Sequence, residues 1–270
     1  MKSLYIDAKD VFLDTVNAKE YVQSKHTSRI YQSLKDSIIN KPSKIILLYG
    51  NSGTGKSMFL NKLYTDISTS QPTFFYKTPI LSESEFYQTL AQDLCHTKYC
   101  EELNFTQFVK IIEQTGQKQI PIVLLDEAQL YSETIMEEIR LLSDRQMVKF
   151  VITLRKIEKK SIIAQEHFQT RIWKTIKLEN TSYSELKIYI QKKLTNANCF
   201  DNVKMFTNRA VNKIYKITNG NYRDTNKLLY TLFDLCYHYE KSNRSSSVKT
   251  DQISNKVIEI AAIQAGLIND

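Results

Sequence analysis

The sequence predicts an α/β fold in which a parallel sheet lies between layers of helices and is followed by a small all-helical domain. Three observations support this prediction: short apolar runs alternate with helical patterns, the runs have the composition of strands buried on both faces, and no further run follows Leu178. A chain of 270 residues has room for a core domain and a smaller appended one. We therefore expect a segment and helix leading into the core over residues 1–40, the core over residues 41–178 and the helical domain over residues 179–270.

The predicted strands begin with the run K-I-I-L-L-Y-G at residues 44–50. Pro42 precedes this run and a glycine ends it, which is typical of a strand buried on both faces. Similar apolar runs occur at residues 73–76, 122–126, 149–153 and 175–178. Because helical patterns separate these strands, we expect a parallel sheet covered by helices.

The predicted helices are recognised by apolar residues that recur at intervals of three and four positions. Within the core they cover residues 56–68, 83–93, 104–115 and 133–142. Beyond the last strand, Thr181 or Ser182 together with Glu185 predicts a helix cap. Further helices are then expected over residues 186–194, 204–217, 222–239 and 251–265.

The composition is that of an ordinary globular protein, with 42% apolar and 24% charged residues. No stretch approaches the roughly 20 apolar residues of a membrane helix, and the start lacks the apolar region of a signal peptide, so we expect a cytoplasmic protein. Lysine and arginine exceed aspartate and glutamate by 37 minus 29, which gives a net charge of +8. This excess favours contact with polyanions, although phosphate-binding enzymes often carry it without such a partner.

Residues 50–57 read G-N-S-G-T-G-K-S and match the phosphate-binding motif G-x-x-x-x-G-K-[ST] at every fixed position. The motif lies between an apolar strand and a helix, where glycines let backbone N–H groups converge on phosphate oxygens and the helix directs its positive end at them. Lys56 is expected to reach the β- and γ-phosphates, and Ser57 to bind Mg²⁺ through its hydroxyl. The motif therefore predicts a site for ATP with Mg²⁺. The residues expected to contact the nucleotide here are Gly50, Asn51, Ser52, Gly53, Thr54, Gly55, Lys56, Ser57 and Met58.

A pair of acidic residues ends the run I-V-L-L-D-E at residues 122–127. An acid at the end of a buried parallel strand lies at the carboxyl edge of the sheet, where ligands bind in open α/β folds. Asp126 is therefore expected to hold Mg²⁺, and Glu127 to act as the base that orients the attacking water. Such a pair is common by itself, but together with the phosphate-binding motif it indicates the Walker B strand of a nucleoside triphosphatase.

The stretch L-L-D-E-A-Q-L-Y-S-E-T-I-M-E-E-I-R-L-L-S-D at residues 124–144 resembles the corresponding segment of the ExeA/GspA-type AAA+ ATPases, which accompany type II secretion and related type IV pilus systems. The resemblance covers roughly residues 20–265. It implies a RecA-like P-loop αβα core with a parallel sheet, followed by a small helical lid. It also implies binding and hydrolysis of ATP, with the nucleotide state controlling assembly with partners.

Further site residues follow from this resemblance alone. His26, ahead of the helix that leads into the first strand, is similar to a histidine at the same place in the family and is expected to contact the nucleotide. Arg171 in Q-T-R-I resembles the arginine finger that acts on a neighbouring subunit. Arg223 in G-N-Y-R-D-T-N resembles the sensor-2 arginine, which contacts the γ-phosphate of its own subunit. The strand after the acid pair departs from the family, because Thr153 and Arg155 stand where the family has a glycine and a glutamine. Thr153 is either the sensor-1 residue or an ordinary β-branched strand residue.

An arginine finger implies shared sites, so the resemblance predicts a nucleotide-dependent homo-oligomer. Its partners would be protein components of a secretion, pilus or DNA-uptake (transformation) machine, through which the protein is also expected at the inner membrane as a peripheral component. Two other functions stay open. One is a DNA-binding AAA+ regulator of initiator or transposition type, although too few residues follow Lys241 to form a separate DNA-binding module. The other is a nucleotide-gated scaffold with little turnover, against which the intact Glu127 argues.

Overall fold

In a computed structural model, the chain is described at residues 4–15, 21–22, 25–96, 101–116, 119–156, 166–242 and 253–269, with the backbone alone described at residues 25–26 and 166–167. The strands are β1 Ile45–Gly50, β2 Thr73–Tyr76, β3 Ile122–Leu125, β4 Lys149–Arg155 and β5 Ile172–Leu178. The helices are α1 Leu4–Asp10, α2 Lys25–Asn40, α3 Lys56–Ile67, α4 Glu83–Cys95, α5 Phe105–Gln114, α6 Glu133–Asp144, α7 Glu166–Gln169, α8 Tyr183–Asn196, α9 Phe200–Lys204, α10 Asn208–Thr218, α11 Tyr222–Lys241 and α12 Asn255–Gln264. Among the helices of the described residues, none combines the length and the apolar character that crossing a bilayer requires.

The chain divides into two compact units, which we name the sheet unit and the helical unit. The sheet unit comprises Thr27–Asn51 and Lys56–Leu178. The helical unit comprises Met1–His26, Ser52–Gly55 and Glu179–Asp270. The helical unit is therefore assembled from three separate stretches of sequence, one of which is the middle of the phosphate-binding motif.

The sheet unit is built on a five-stranded sheet formed by the described residues, in the order β2-β3-β4-β1-β5, and every neighbouring pair is parallel. β1 lies between β4 and β5, and its residues 45–48 are at most 1% exposed. An unbroken apolar run suits this position because helices cover both faces of a central parallel strand. The predicted α/β class with a parallel sheet is confirmed.

Helices of the sheet unit pack through aromatic side chains. On α4, Phe86 and Tyr87 are 0% and 1% exposed, and the ring of Tyr87 lies 5.3 Å from that of Phe108 on α5, measured between centroids. Large rings remove much apolar surface from water, which anchors these helices on the sheet. Each of α4, α5 and α6 also begins after a polar residue whose side chain accepts a backbone N–H of the first turn, and these caps are Ser82, Asn104 and Ser132.

The core of the helical unit is formed by α8, α10, α11 and α12, and α1 from the start of the chain belongs to the same core. Tyr5 and Ala8 of α1 are buried. Phe12, just after α1, stacks on Phe233 of α11 with ring centroids 5.9 Å apart. Sequence patterns did not predict α1, because a helix of seven residues is too short to display a clear apolar period.

The helix predicted over residues 204–217 corresponds to α10, which begins four residues later, at Asn208, while Lys204 ends α9. Thr207 begins α10, because its side chain accepts the backbone N–H of Ala210 and so caps the helix. Met205 and Phe206, which lie in the connection, are 4% and 5% exposed. These two apolar residues extend the pattern of α10 toward the N-terminus, and for that reason the predicted start of the helix lies too early in the sequence.

Candidate nucleotide-binding site

The carboxyl edge of the sheet brings together several residues that the motifs identify. β3, β4 and β1 are neighbours, with Leu125 paired to Ile152 and Gly50 paired to Arg155. Asp126 follows β3 directly. Since parallel strands end at the same edge, the start of the phosphate-binding motif lies in the sheet unit at the same edge as the acid pair and the end of β4.

Asp126 is held in a buried hydrogen-bond network with Thr153. The two residues are 4% and 0% exposed. The Thr153 hydroxyl donates to Asp126 Oδ1 over 2.5 Å, and the backbone N–H of Glu127 donates to Thr153 Oγ1 over 2.9 Å and to Asp126 Oδ1 over 3.0 Å. Both bonds to the Asp126 carboxylate are made to Oδ1, and neither involves Oδ2. A carboxylate fixed in this way suits Mg²⁺, which prefers oxygen ligands in a rigid geometry.

Glu127 adopts a left-handed backbone conformation, with φ 50° and ψ 46°. This conformation is uncommon for glutamate, and here the bonds from its N–H to Thr153 and Asp126 hold it. The side chain is 41% exposed, and its Oε1 lies 3.4 Å from Arg155 Nη2. The carboxylate is therefore accessible to water, as a residue that activates water must be.

The start of α3 carries the lysine and serine of the motif. The Lys56 ammonium donates to the backbone oxygens of Gly50, at 3.0 Å, and Asn51, at 2.9 Å. Ser57 and Met58 lie in the first turn of α3 and are partly buried. The positive end of this helix of 12 residues coincides with the lysine, so the local potential favours an anion.

Within the helical unit, Ser52–Gly55 packs against the start of α11. Gly53 and Gly55 have φ values of +76° and +89°, which glycine adopts without strain. A Cβ atom on Gly53 would lie 2.1 Å from Asn221 Oδ1, so no side chain fits at this position. The motif therefore needs a glycine at position 53 for both its backbone conformation and its contact with α11.

Two hydrogen bonds from the start of α11 fix the carbonyl groups of this loop. Asn221 Nδ2 donates to the backbone oxygen of Ser52 over 2.8 Å, and the backbone N–H of Tyr222 donates to that of Gly53 over 3.1 Å. In a trans peptide the C=O and N–H groups point in opposite directions. The N–H groups that follow these carbonyls, those of Gly53 and Thr54, consequently point away from these contacts and do not donate to α11 through them.

Arg223 lies in the first turn of α11 and contacts the same loop. Its Nη1 donates to Ser52 Oγ over 2.6 Å, and its Nε donates to Asp14 Oδ2 over 3.1 Å. Both Arg223 and Asp14 have 57% of their side-chain surface exposed. The guanidinium is thus placed beside the motif within the helical unit and stays accessible to a ligand.

Arg171 lies at the opposite edge of the sheet from the acid pair. It precedes β5, whose first residue, Ile172, pairs with Ile45, the first residue of β1. With six residues, β1 separates the two edges by about 17 Å at about 3.3 Å per residue. Although all three residues belong to the sheet unit, the structure therefore does not bring Arg171 close to Asp126 and Lys56.

Asp144, at the end of α6, holds Arg171 at that edge. Its Oδ2 accepts from Arg171 Nε at 3.0 Å and from Arg140 Nη1 at 2.8 Å, while its Oδ1 accepts from Lys44 at 2.7 Å. Burial opposes ionisation of Asp144, but the hydrogen bonds from Lys44 and Arg171 outweigh it, so the pKa of Asp144 lies below its usual value. An ionised Asp144 keeps the Arg171 guanidinium oriented.

Three residues remain: His26, which was predicted from the sequence, and Asn221 and Asp14, which the structure adds. His26 belongs to α2, but its side chain lies outside the described residues, and its contact with nucleotide stays a prediction. Asn221 and Asp14 were not identified, although both contact functional candidates. Asn221 carried a usable signal, since asparagine before a helix is a preferred cap. Asp14 carried none, because its partner Arg223 is 209 residues away.

Comparison with known proteins identifies the type of domain. Residues 39–158 match the family model described as an AAA domain. Among curated proteins, none matches this sequence. Many solved structures match the fold at low sequence identity, and three of them are described next.

Cdc6p from Pyrobaculum aerophilum has a TM-score of 0.67 and 15% identity, with 87% of this chain and 66% of that chain covered. The Aeropyrum pernix ORC1 protein, solved in complex with DNA, has a TM-score of 0.62 and 13% identity over 95% of this chain and 69% of that one. The Thermotoga maritima RuvB Holliday junction branch migration motor has a TM-score of 0.58 and 14% identity over 93% and 72%. The chain thus spans about two thirds of the length of the first two proteins. At residues 39–158 the sequence matches an AAA domain, and the chain has the AAA+ P-loop fold with a helical carboxyl-terminal region.

Proposed function

We propose that this protein is an AAA+ ATPase that binds ATP with Mg²⁺ at residues 50–58 and hydrolyses it. The observation that carries the proposal is the arrangement of the sheet unit. Lys56 begins α3, which follows β1, and the buried Asp126 directly follows β3 at the same carboxyl edge of the sheet. A helix N-terminus, an ammonium group and a fixed carboxylate are the groups that a triphosphate with its metal requires.

Each residue then has a distinct role. The N–H groups of the loop and the Lys56 ammonium bind phosphate oxygens, and Ser57 and Asp126 supply oxygen ligands to the metal. Bound Mg²⁺ neutralises charge on the β- and γ-phosphates. Glu127 orients the attacking water and accepts its proton, for which its exposed carboxylate is suited.

We interpret Thr153 as the sensor-1 residue because its hydroxyl contacts both members of the acid pair. Its hydroxyl donates to Asp126 and accepts from the backbone of Glu127, so it couples the metal ligand to the residue that orients water. A β-branched residue without a hydroxyl would fill the strand equally well but would make neither bond. We therefore assign Thr153 a positioning role.

The two arginines act on different nucleotides. Arg223 contacts the loop of its own chain through Ser52, which supports a role at the γ-phosphate within one subunit. Arg171 lies at the far edge of the sheet, which supports action on the nucleotide of a neighbouring subunit and hence a homo-oligomer that depends on nucleotide. The resemblance to ExeA/GspA-type proteins favours a secretion, pilus or DNA-uptake machine as the partner of this oligomer.

The ATP site is tested by titrating a fluorescent ATP analogue with Mg²⁺ into the wild type and Lys56→Ala. Loss of the ammonium should weaken binding about 100-fold, because charge-assisted bonds to phosphate are lost. Lys62→Ala is the matched control, since Lys62 lies on the same helix and pairs with Asp66 instead. Undiminished affinity in Lys56→Ala would remove the assignment of the motif.

A DNA-acting role is the second candidate function. The net charge of +8 and the likeness in fold to ORC1 solved with DNA both favour it. Affinity for duplex DNA would be measured with and without ATP over a range of salt concentrations, because phosphate contacts make affinity fall steeply with salt. Salt-sensitive binding that requires ATP supports this role, whereas no binding at low salt leaves the secretion or pilus context as the favoured one.

A further inference from the structure

Within the helical unit, α1 and the residues that follow it are anchored on α11, the helix that carries Arg223. Lys9 of α1 forms an ion pair with Asp234 of α11 at 3.0 Å, and Phe12 stacks on Phe233 of the same helix. The backbone N–H of Phe12 donates to the carbonyl of Lys9, which turns the chain at the end of α1. The end of α1 and the residues after it are therefore held on α11 by two contacts, to Asp234 and Phe233.

This anchoring brings Asp14 to the Arg223 guanidinium. Asp14 Oδ2 accepts from Arg223 Nε at 3.1 Å, while Arg223 Nη1 donates to Ser52 Oγ at 2.6 Å. The guanidinium is planar and presents its donors in a fixed fork. A carboxylate on the Nε side consequently orients the terminal nitrogens toward the loop that contains Ser52.

We propose that Asp14 is a positioning residue that holds Arg223 in the orientation needed to contact the γ-phosphate. The inference rests on the proposed ATP site and adds to it a contribution from the start of the chain. Without Asp14, the long arginine side chain would sample other rotamers and lose part of its preorganised contact. Because both side chains are 57% exposed, water screens the pair and the effect is moderate.

The test compares the affinities for ATP and ADP of the wild type and Asp14→Asn, because only ATP carries the γ-phosphate. We expect the preference for ATP over ADP to fall about two- to fivefold in Asp14→Asn, the size expected for an exposed ion pair. Asp10→Asn is the matched control, since Asp10 is an exposed acid of the same segment, and its preference should equal that of the wild type. Asp14→Glu should recover part of the preference.

A double-mutant cycle separates positioning from a general effect of charge. Arg223→Ala should also lower the preference for ATP, and adding Asp14→Asn to it should lower the preference no further. An unchanged or increased preference in Asp14→Asn, or additive losses in the double variant, would overturn the inference. If the wild type and Arg223→Ala show the same preference for ATP over ADP, the role of Arg223 in the proposed function is wrong. If Arg223→Ala lowers the preference and Asp14→Asn does not, only the role of Asp14 is wrong.

A second measurement needs no nucleotide. In protein labelled with ¹⁵N-arginine, the Nε–H signal of Arg223 is identified by its loss in Arg223→Lys. Its exchange with water should be slow in the wild type and Asp10→Asn, because the hydrogen is bonded to Asp14, and faster in Asp14→Asn. Equal exchange rates in all three proteins would contradict the proposed contact.

Discussion

At the residue scale, the backbone of Glu127 shows how the site stores a strained conformation. Non-glycine residues in the left-handed region cost on the order of 1 kcal/mol and persist where surrounding bonds require them. Here the Glu127 N–H is shared between Asp126 and Thr153, which are both buried. The backbone of Glu127 is therefore held by the same network that fixes Asp126, the proposed metal ligand.

Replacing Glu127 by Gln should leave ATP binding intact and lower the rate of hydrolysis by at least about 100-fold, because the amide cannot accept a proton from water. The fluorescent titration measures binding and phosphate release measures turnover. Glu133→Gln, at the exposed start of α6, is the control and should hydrolyse ATP at the wild-type rate. Full turnover in Glu127→Gln would assign the base to another residue.

At the scale of single elements, α4 and α6 are in contact at Glu138, whose surroundings disfavour the charged form of its carboxyl group. The Tyr87 hydroxyl of α4 donates to Glu138 of α6. Burial, with a smaller contribution from the negative charge of Glu83, raises the pKa of Glu138 from 4.5 to about 7. Because this value is raised above that of the unfolded chain, the folded state binds more protons between the two values, and stability falls as pH rises through that window.

Glu138→Gln should remove this loss of stability. The variant should unfold at a higher temperature than the wild type at pH 8 and at a similar temperature at pH 5, since glutamine stays neutral and still accepts from Tyr87. Thermal unfolding followed by circular dichroism at both pH values gives the comparison. Glu113→Gln on α5 is the control, because Glu113 has 60% of its side-chain surface exposed. A wild-type pH profile in Glu138→Gln would rule out the inferred environment.

At the scale of the whole molecule, the two edges of the sheet carry different candidate residues. The carboxyl edge carries Asp126 and the beginning of the motif, whereas the amino edge carries Arg171 bound to Asp144. A side chain about 17 Å away along β1 cannot reach a nucleotide at the other edge of its own sheet. If Arg171 is catalytic, its substrate must be bound to another copy of the chain.

Arg171→Ala and Lys56→Ala should each hydrolyse ATP slowly when alone and regain activity when mixed. In a mixed oligomer, a subunit with an intact Lys56 can receive Arg171 from its neighbour, which is the physical basis of the recovery. Phosphate release at a constant total protein concentration measures it. The control mixture combines Arg171→Ala with the double variant Lys56→Ala/Arg171→Ala, which contains no Arg171 and should stay slow. No recovery in the first mixture would argue for a monomer.

Most of the elements and the motif residues of the candidate site were predictable because their signals are local. The run from Lys44 to Gly50, the motif that follows it and the acid pair after β3 each occupy a few consecutive residues whose types dictate strand, loop or helix start. Boundaries were less predictable, since the buried Met205 and Phe206 extend the apolar pattern of α10 beyond its cap at Thr207. Burial of that connection hides the helix cap from a search for periodicity.

By itself, the sequence determined the parallel sheet and the residues at its carboxyl edge, because apolar period and motif spacing act over neighbouring positions. Only the tertiary structure decided that α1 belongs to the helical unit, that Asp14 and Asn221 contact the site, and that Arg171 stands at the opposite edge. These contacts join residues up to 209 positions apart. Packing selects such pairs from the whole chain, and no local preference encodes which distant side chains will meet.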